Sequence, residues 1–397
     1  LQLLSLGIYL TIIFSIKKTL AVHPDYLLRQ EIIAALRTRW LSLSPAGWHH
    51  LTAGLIRDGQ LELALNRIDL MEIQGIRLEQ WLHSLLIYNL CAVGEYDEVI
   101  RLIQRRGMKL HNISKKLWVY LLDEAIRASH LKLASYIWKN TVDMSYADVN
   151  ASRCSRIVDL ASHHGDIKLA ESAFRQIVVL EQPLLQEDYE QLAHGYAKAG
   201  DFKPAFEILC RMQGEGFPIR PESIRAVLLS LQETISHPAQ IWKSMVDLKQ
   251  QSLDIPVGLA NIVIEYCDAA LASDSFFKYE AMEVALDIYK DIFDICSGGA
   301  DTHTFNLLFA ICRRQNRPDA FTFLAREMAA LEVEPDQTTL EHFILVCLEV
   351  KNYHSAYMYA MDLTDRGWIP SGKVRSKILE DCAGVDTALS AMLCELV

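Results

Sequence analysis

Apolar residues recur three and four positions apart along most of the chain, as in Leu51, Leu55 and Ile56 or Leu192, Ala193 and Tyr196. That spacing gives a helix one face to bury. The runs stop at Gly59, Gly94, Ser129, Gly165 and Gly200, and a left-handed residue that ends a helix is cheapest as Gly. A second amphipathic run follows each stop, for example Leu61 to Met71 and Phe202 to Met212. Small alanines (Ala64, Ala134, Ala170, Ala205) sit early in these second runs, where a bulky side chain would hold two paired helices apart. A second turn, such as Gln74-Gly75-Ile76, Glu215-Gly216-Phe217 or Arg366-Gly367-Trp368, then closes the unit.

The units repeat. Counted from the start of the first helix, they begin at Pro45, Gln80, Lys115, Ala151, Gln186, Pro221, Pro256, Thr302 and Gln337, with a partial tenth at Gly372. Six of the eight steps between the nine full units are 35 residues, one is 36 and one is 46, the longest absorbing extra residues around Leu271 to Tyr279. One helical hairpin cannot bury its apolar face alone, so neighbours must stack into an array with an extended face for binding. The predicted organisation is an apolar helix and capping hairpin over residues 1–44, about nine repeats over 45–371, and a partial repeat or cap over 372–397.

Thr304-Phe305-Asn306-Leu307-Leu308, Met328 and Glu334-Pro335-Asp336 resemble a complete pentatricopeptide-repeat motif. Tyr189, Gly195, Gly200, Ala205, Met212 and Gly216 follow the same pattern, and the likeness extends from Pro45 to Ser371. The tetratricopeptide repeat is the nearest competitor, but its period is 34. The resemblance implies an all-α fold, a right-handed superhelical solenoid of stacked antiparallel helical hairpins. It also implies single-stranded RNA as the ligand, read at one base per hairpin.

The family reads bases with the fifth and the last residue of each motif. Those pairs fall here on His49 with Glu79, Ser84 with Ser114, Val119 with Asn150, Ser155 with Leu185, Glu190 with Arg220, Arg225 with Ile255, Ala260 with Asp301, Asn306 with Asp336, and Glu341 with Ser371. Only Asn306 with Asp336 is a standard pair, implying uracil. Ser84, Ser114 and Ser155 are further base-reading candidates. The thirteenth residue, often basic in the family, is Arg57, Arg127, Lys198 or Arg314 in four units, with His163 in a fifth, and these are the phosphate candidates. Ala92, Glu233, Asp268 and Glu349 interrupt that row.

The formal net charge of −11 disfavours a grip on nucleic acid over the whole surface. It leaves open a second class, a pentatricopeptide-type protein scaffold such as a respiratory-complex assembly factor or a mitoribosome-associated factor. The resemblance implies a mitochondrial location for either. Nine cysteines are scattered without a C-x-x-C pair, which predicts reduced, buried thiols rather than a metal site. The pairs His49-His50 and His163-His164 point to different sides of a helix, so no metal is expected. No phosphate loop or nucleophile elbow is present, so the chain is expected to be no enzyme, with no cofactor and no small-molecule substrate.

Three segments keep two readings. Residues 1–16 carry no charge and are read as a packed helix, with a membrane anchor as the less favoured alternative. The opening Leu, rather than Met, is compatible with a targeting segment ahead of it. Arg101, Arg105, Arg106 and Lys109 form the densest basic segment, a solvated helix face or a contact for phosphates or an acidic partner. Trp48, Trp81, Trp118 and Trp138 are read first as packing residues and second as platforms for bases.

Overall fold

The computed structural model describes residues 16, 18–22, 26–39, 43–105, 113–142, 144, 146, 149–234, 236–272 and 280–382. The expectations for residues 1–15, for the basic residues 106–109, for the extra residues 273–279 and for the end of the chain from 383 lie outside these. The chain divides into two compact units, one of Leu1–Leu160 with Arg175–Gln182, the other of Ala161–Phe174 with Pro183–Val397.

In the first unit α1 (Tyr26–Thr38) precedes the hairpins α2 (Pro45–Arg57) with α3 (Leu61–Ile73), α4 (Gln80–Val93) with α5 (Tyr96–Arg105), and α6 (Lys115–Arg127) with α7 (Leu131–Thr141). Each first helix packs on its own second helix, and α2 packs on α4 and α4 on α6. Buried Arg29 ties α1 to this stack through an ion pair with Asp58, just past α2. Gly54 makes room for it, since a Cβ there would meet Arg29 Nη1 at 2.5 Å. The division between units falls within α8 (Ala151–His164) and α9 (Ile167–Val179).

The second unit continues with α10 (Gln186–Lys198), α11 (Phe202–Gly214), α12 (Pro221–Thr234), α13 (Pro238–Gln250), α14 (Val257–Ala272), α15 (Ala281–Ile295), α16 (Thr302–Arg314), α17 (Pro318–Ala330), α18 (Gln337–Glu349), α19 (Tyr353–Asp365) and α20 (Gly372–Cys382). First helices stack on first helices, as in α10, α12, α14, α16 and α18, and second helices on second helices, as in α11, α13 and α15. The chain is therefore an all-α helical repeat array, with two-residue strands as its only departure among the described residues.

The turns explain the period. Within two residues of the end of seven first helices the chain takes a left-handed φ, at Gly59, Gly94, Ser129, Gly165, Gly200, Asn316 and Lys351, so it reverses at the same point of these repeats. Lys351 adopts this conformation at φ 61°, a cost that the packing of α18 on α19 outweighs. Ala64, Ala134, Ala170, Ala205 and Ala356, each fourth in its second helix, are all fully buried. Phe321 holds that place in α17 and changes the local packing. Its ring lies 4.5 Å from Phe309 and 5.6 Å from Phe343, and Phe343 lies 5.1 Å from Tyr359, so aromatic contacts run across two repeats.

The long repeat corrects one expected start. Ile255–Pro256 forms β1, which pairs in parallel with β2 (Cys296–Ser297), Ile255 opposite Cys296 and Pro256 opposite Ser297. Pro256 therefore belongs to the strand, and α14 begins one residue later, at Val257. Among the described residues no helix is long and apolar enough to cross a membrane.

Candidate functional site

The fifth residue of a repeat meets the residue that caps the next one. Asp336 caps α18 in extended conformation and accepts from Thr339 N at 2.8 Å. Asn306, the fifth residue of α16, donates from Nδ2 to both carboxylate oxygens of Asp336 at 3.1 Å, and its Oδ1 is 2.7 Å from the Thr339 hydroxyl. Asn306 and Thr339 are buried, so this closed set of bonds spares each a desolvation cost of about 1–3 kcal/mol.

The preceding repeat is built the same way. Asn261 Nδ2 donates to Asp301 Oδ1 at 3.2 Å, Asn261 Oδ1 is 2.7 Å from the Thr304 hydroxyl, and Asp301 accepts from Thr304 N at 2.7 Å. The later start of α14 makes Asn261, not Ala260, its fifth residue. Ala260 is buried and has no side-chain polar atom to offer Asp301. Two consecutive repeats thus carry the Asn–Asp pair that counting from Pro256 found only once. Pro256 takes its place in a two-residue strand, and the helix starts one residue later.

The same tie is made with other chemistry elsewhere. His49 Nδ1 lies 2.6 Å from the Pro45 carbonyl, which calls for the proton on Nδ1 and leaves Nε2 to accept from Glu79 N–H at 3.1 Å. Glu341 accepts from Ser371 N and Ser371 Oγ at 2.8 Å each. The serine candidates are not brought together. Ser84 Oγ donates to Gln80 O at 3.1 Å within its own helix, Ser114 caps α6 through Leu117 N at 3.3 Å, and Ser155 is half-buried on α8.

Three of the four phosphate candidates have protein partners. Arg57 donates to the Ala21 carbonyl at 2.5 Å, Arg127 pairs with Glu124 in the preceding turn, and Arg314 Nε lies 2.8 Å from Asp268. Burial holds the Asp268 carboxyl above the usual range, and the Arg314 charge offsets part of that rise. Lys198 is exposed and has no ion pair among the described residues. His163 lies edge-on to His194 at 5.3 Å. Arg313 pairs with Glu349 at 3.2 Å, so the first helices near the C-terminal end carry cations already matched by carboxylates.

Of the other candidates, Trp118 and Trp138 are fully buried, Trp48 lies under the Arg67 guanidinium at 5.0 Å, and Trp81 is exposed. Arg101 pairs with Glu98 at 3.2 Å. Among the described residues no three His, Cys, Asp or Glu side chains are placed to hold a metal ion.

Residues 152–292 match the family model for pentatricopeptide repeat-containing proteins. Over that stretch the chain is similar to the pentatricopeptide-repeat family. Solved pentatricopeptide-repeat structures resemble it at low identity. The crystal structure of PPR10 from maize is 12% identical, with a TM-score of 0.31 over 96% of this chain and 57% of that one. PPR10 in complex with an 18-nt psaJ RNA element is 12% identical, with a TM-score of 0.32 over 92% of this chain and 62% of that one. The chain thus spans about three fifths of the length of these structures. No curated protein matches it significantly.

Proposed function

We propose that this chain is a pentatricopeptide-repeat protein that binds single-stranded RNA, with no chemistry of its own, in mitochondrial gene expression, where it stabilises, processes or helps translate a transcript. The observation that carries the reading is the Asn261–Asp301 and Asn306–Asp336 pairs in consecutive repeats, at the positions the family uses to read bases. Each sets an Asn amide beside an Asp carboxylate, groups of the donor and acceptor kind that pair with a base edge. The mitochondrial setting rests on the family resemblance alone, and fractionation of cells expressing the full-length protein tests it.

RNA affinity measured at two salt concentrations tests the binding. Wild-type protein is expected to bind single strands more weakly at higher salt, and Lys198→Glu to weaken binding whatever the sequence. Asn306→Ala with Asp336→Ala is expected to relax a preference at one nucleotide while leaving the salt slope almost intact. Failure of wild-type protein to bind any single strand at low salt overturns the reading.

One observation favours a protein partner instead. Asp and Glu outnumber Lys and Arg 35 to 20 in residues 161–397, against 15 to 19 in residues 1–160. The Arg314–Asp268 and Arg313–Glu349 pairs further spend the cations of the acidic stretch. A scaffold in a respiratory-complex assembly or on the mitochondrial ribosome would retain a co-purifying protein and show no RNA affinity.

A further inference from the structure

The first unit carries an aromatic surface that the base-reading positions do not use. Trp81 and Tyr88 lie seven residues apart on α4, two helical turns and therefore on one face, about 10 Å apart along the axis. They are 38% and 40% exposed, unlike Trp118 and Trp138 in the same unit. The neighbouring first helices extend the surface. His50 of α2 lies 5.7 Å from Trp81 with ring planes 33° apart, and Tyr120 of α6 lies 4.6 Å from Tyr88.

Cations flank these rings. Lys116 sits one turn before Tyr120 on α6, and Arg156 is the sixth residue of α8, as Tyr120 is of α6 and His50 of α2. The Arg153–Asp123 ion pair, at 2.7 Å, fastens the start of α8 beside α6. Lys116 and Arg156 are exposed and have no ion pair among the described residues. This is also the part of the chain in which basic residues outnumber acidic ones.

We propose that the face of α2, α4 and α6 bearing His50, Trp81, Tyr88 and Tyr120 is a stacking surface for the bases of single-stranded RNA, with Lys116 and Arg156 taking the phosphates. This rests on the RNA reading and deepens it. Every base has a π-face, so the surface holds a strand whatever its sequence, whereas the Asn–Asp pairs of the second unit address base edges. The charge of the first unit selects a polyanion over an apolar peptide for the same rings.

The test is affinity for two single strands of matched length and different sequence, with their duplex as a control. Trp81→Ala with Tyr88→Ala is expected to weaken binding to both single strands about tenfold or more, while Trp81→Phe, which keeps a ring, restores most of the loss. Lys116→Ala with Arg156→Ala removes only exposed cations and is expected to flatten the salt dependence without altering thermal stability. Duplex RNA, its bases already stacked, is expected to bind weakly to all forms. If wild-type protein binds RNA and both double variants match it, the stacking surface is wrong and the RNA reading stands. If wild-type protein binds no single strand at low salt, both fall.

Discussion

Asn306 places its Nδ2 at 3.1 Å from each carboxylate oxygen of Asp336, thirty residues further along the chain, and so joins one repeat to the cap of the next. Removing the amide leaves the Asp336 carboxylate and the buried Thr339 hydroxyl each short of a partner. Asn306→Ala is therefore expected to destabilise the second unit by about 1–3 kcal/mol. Asn306→Asp, which sets a like charge against Asp336, is expected to cost more. Urea unfolding of the three proteins measures this, and equal midpoints would show that the tie contributes nothing to the fold.

Gly195 marks the closest approach of α10 to α8. A Cβ on it would stand 2.8 Å from Ser162 Oγ and 3.1 Å from Ser162 Cα, and a backbone atom cannot swing aside as a side-chain end can. Gly195→Ala is expected to push the two helices apart and cost roughly 1–3 kcal/mol, despite the better helix propensity of alanine. A lowered thermal midpoint is the expected reading. A raised one would mean that propensity outweighs the crowding.

His342 predicts a pH dependence. Burial first, and then the adjacent Arg313 charge, push its pKa down from 6.5 to about 4. Arg313 Nη1 stands 3.3 Å from its Nδ1, while Glu341 and Asp336 act weakly in the opposite sense and Lys373 with Arg313. The unfolded chain takes up a proton near pH 6.5 that the folded chain refuses until about pH 4. The associated stability is present in full above that upper value and is lost as the pH falls through the window, on the order of 3 kcal/mol over its whole width. Urea unfolding at pH 7.5 and about pH 5 is expected to show the loss in wild-type protein and a smaller one in His342→Gln. Equal losses would place the pH sensitivity elsewhere.

The hairpins were legible in the sequence because one local event recurs. A left-handed residue follows seven of the first helices, and Gly59, Gly94, Gly165 and Gly200 announce it. Asn306 with Asp336 was legible for a similar reason, since a motif of local residues surrounds it. Asn261 was not, because its register depends on Pro256 joining a strand with Ser297, a partner more than forty residues away. The fates of Arg57 and Arg314 were equally hidden. Ala21 and Asp268 become their neighbours only when helices stack, and no spacing within a repeat encodes that contact. Ser84 shows the converse, a residue in a reading position whose hydroxyl turns back to its own helix.

Burial also makes the cysteines useful as clocks. Cys91, Cys210, Cys267 and Cys296 have pKa values pushed up to about 12, and Cys312 to about 11, so none forms a reactive thiolate at neutral pH while its surroundings stay closed. An alkylating reagent can modify such a thiol only when its own hairpin opens. Cys91 lies on α4, Cys210 on α11, Cys267 on α14 and Cys312 on α16, which spreads native reporters along the array without introduced labels. Pulsed alkylation followed by peptide mass analysis therefore reads the order in which individual hairpins breathe. Protection of Cys267 and Cys312 beyond that of Cys91 would mark the repeats joined by Asn261 and Asn306 as the last to loosen.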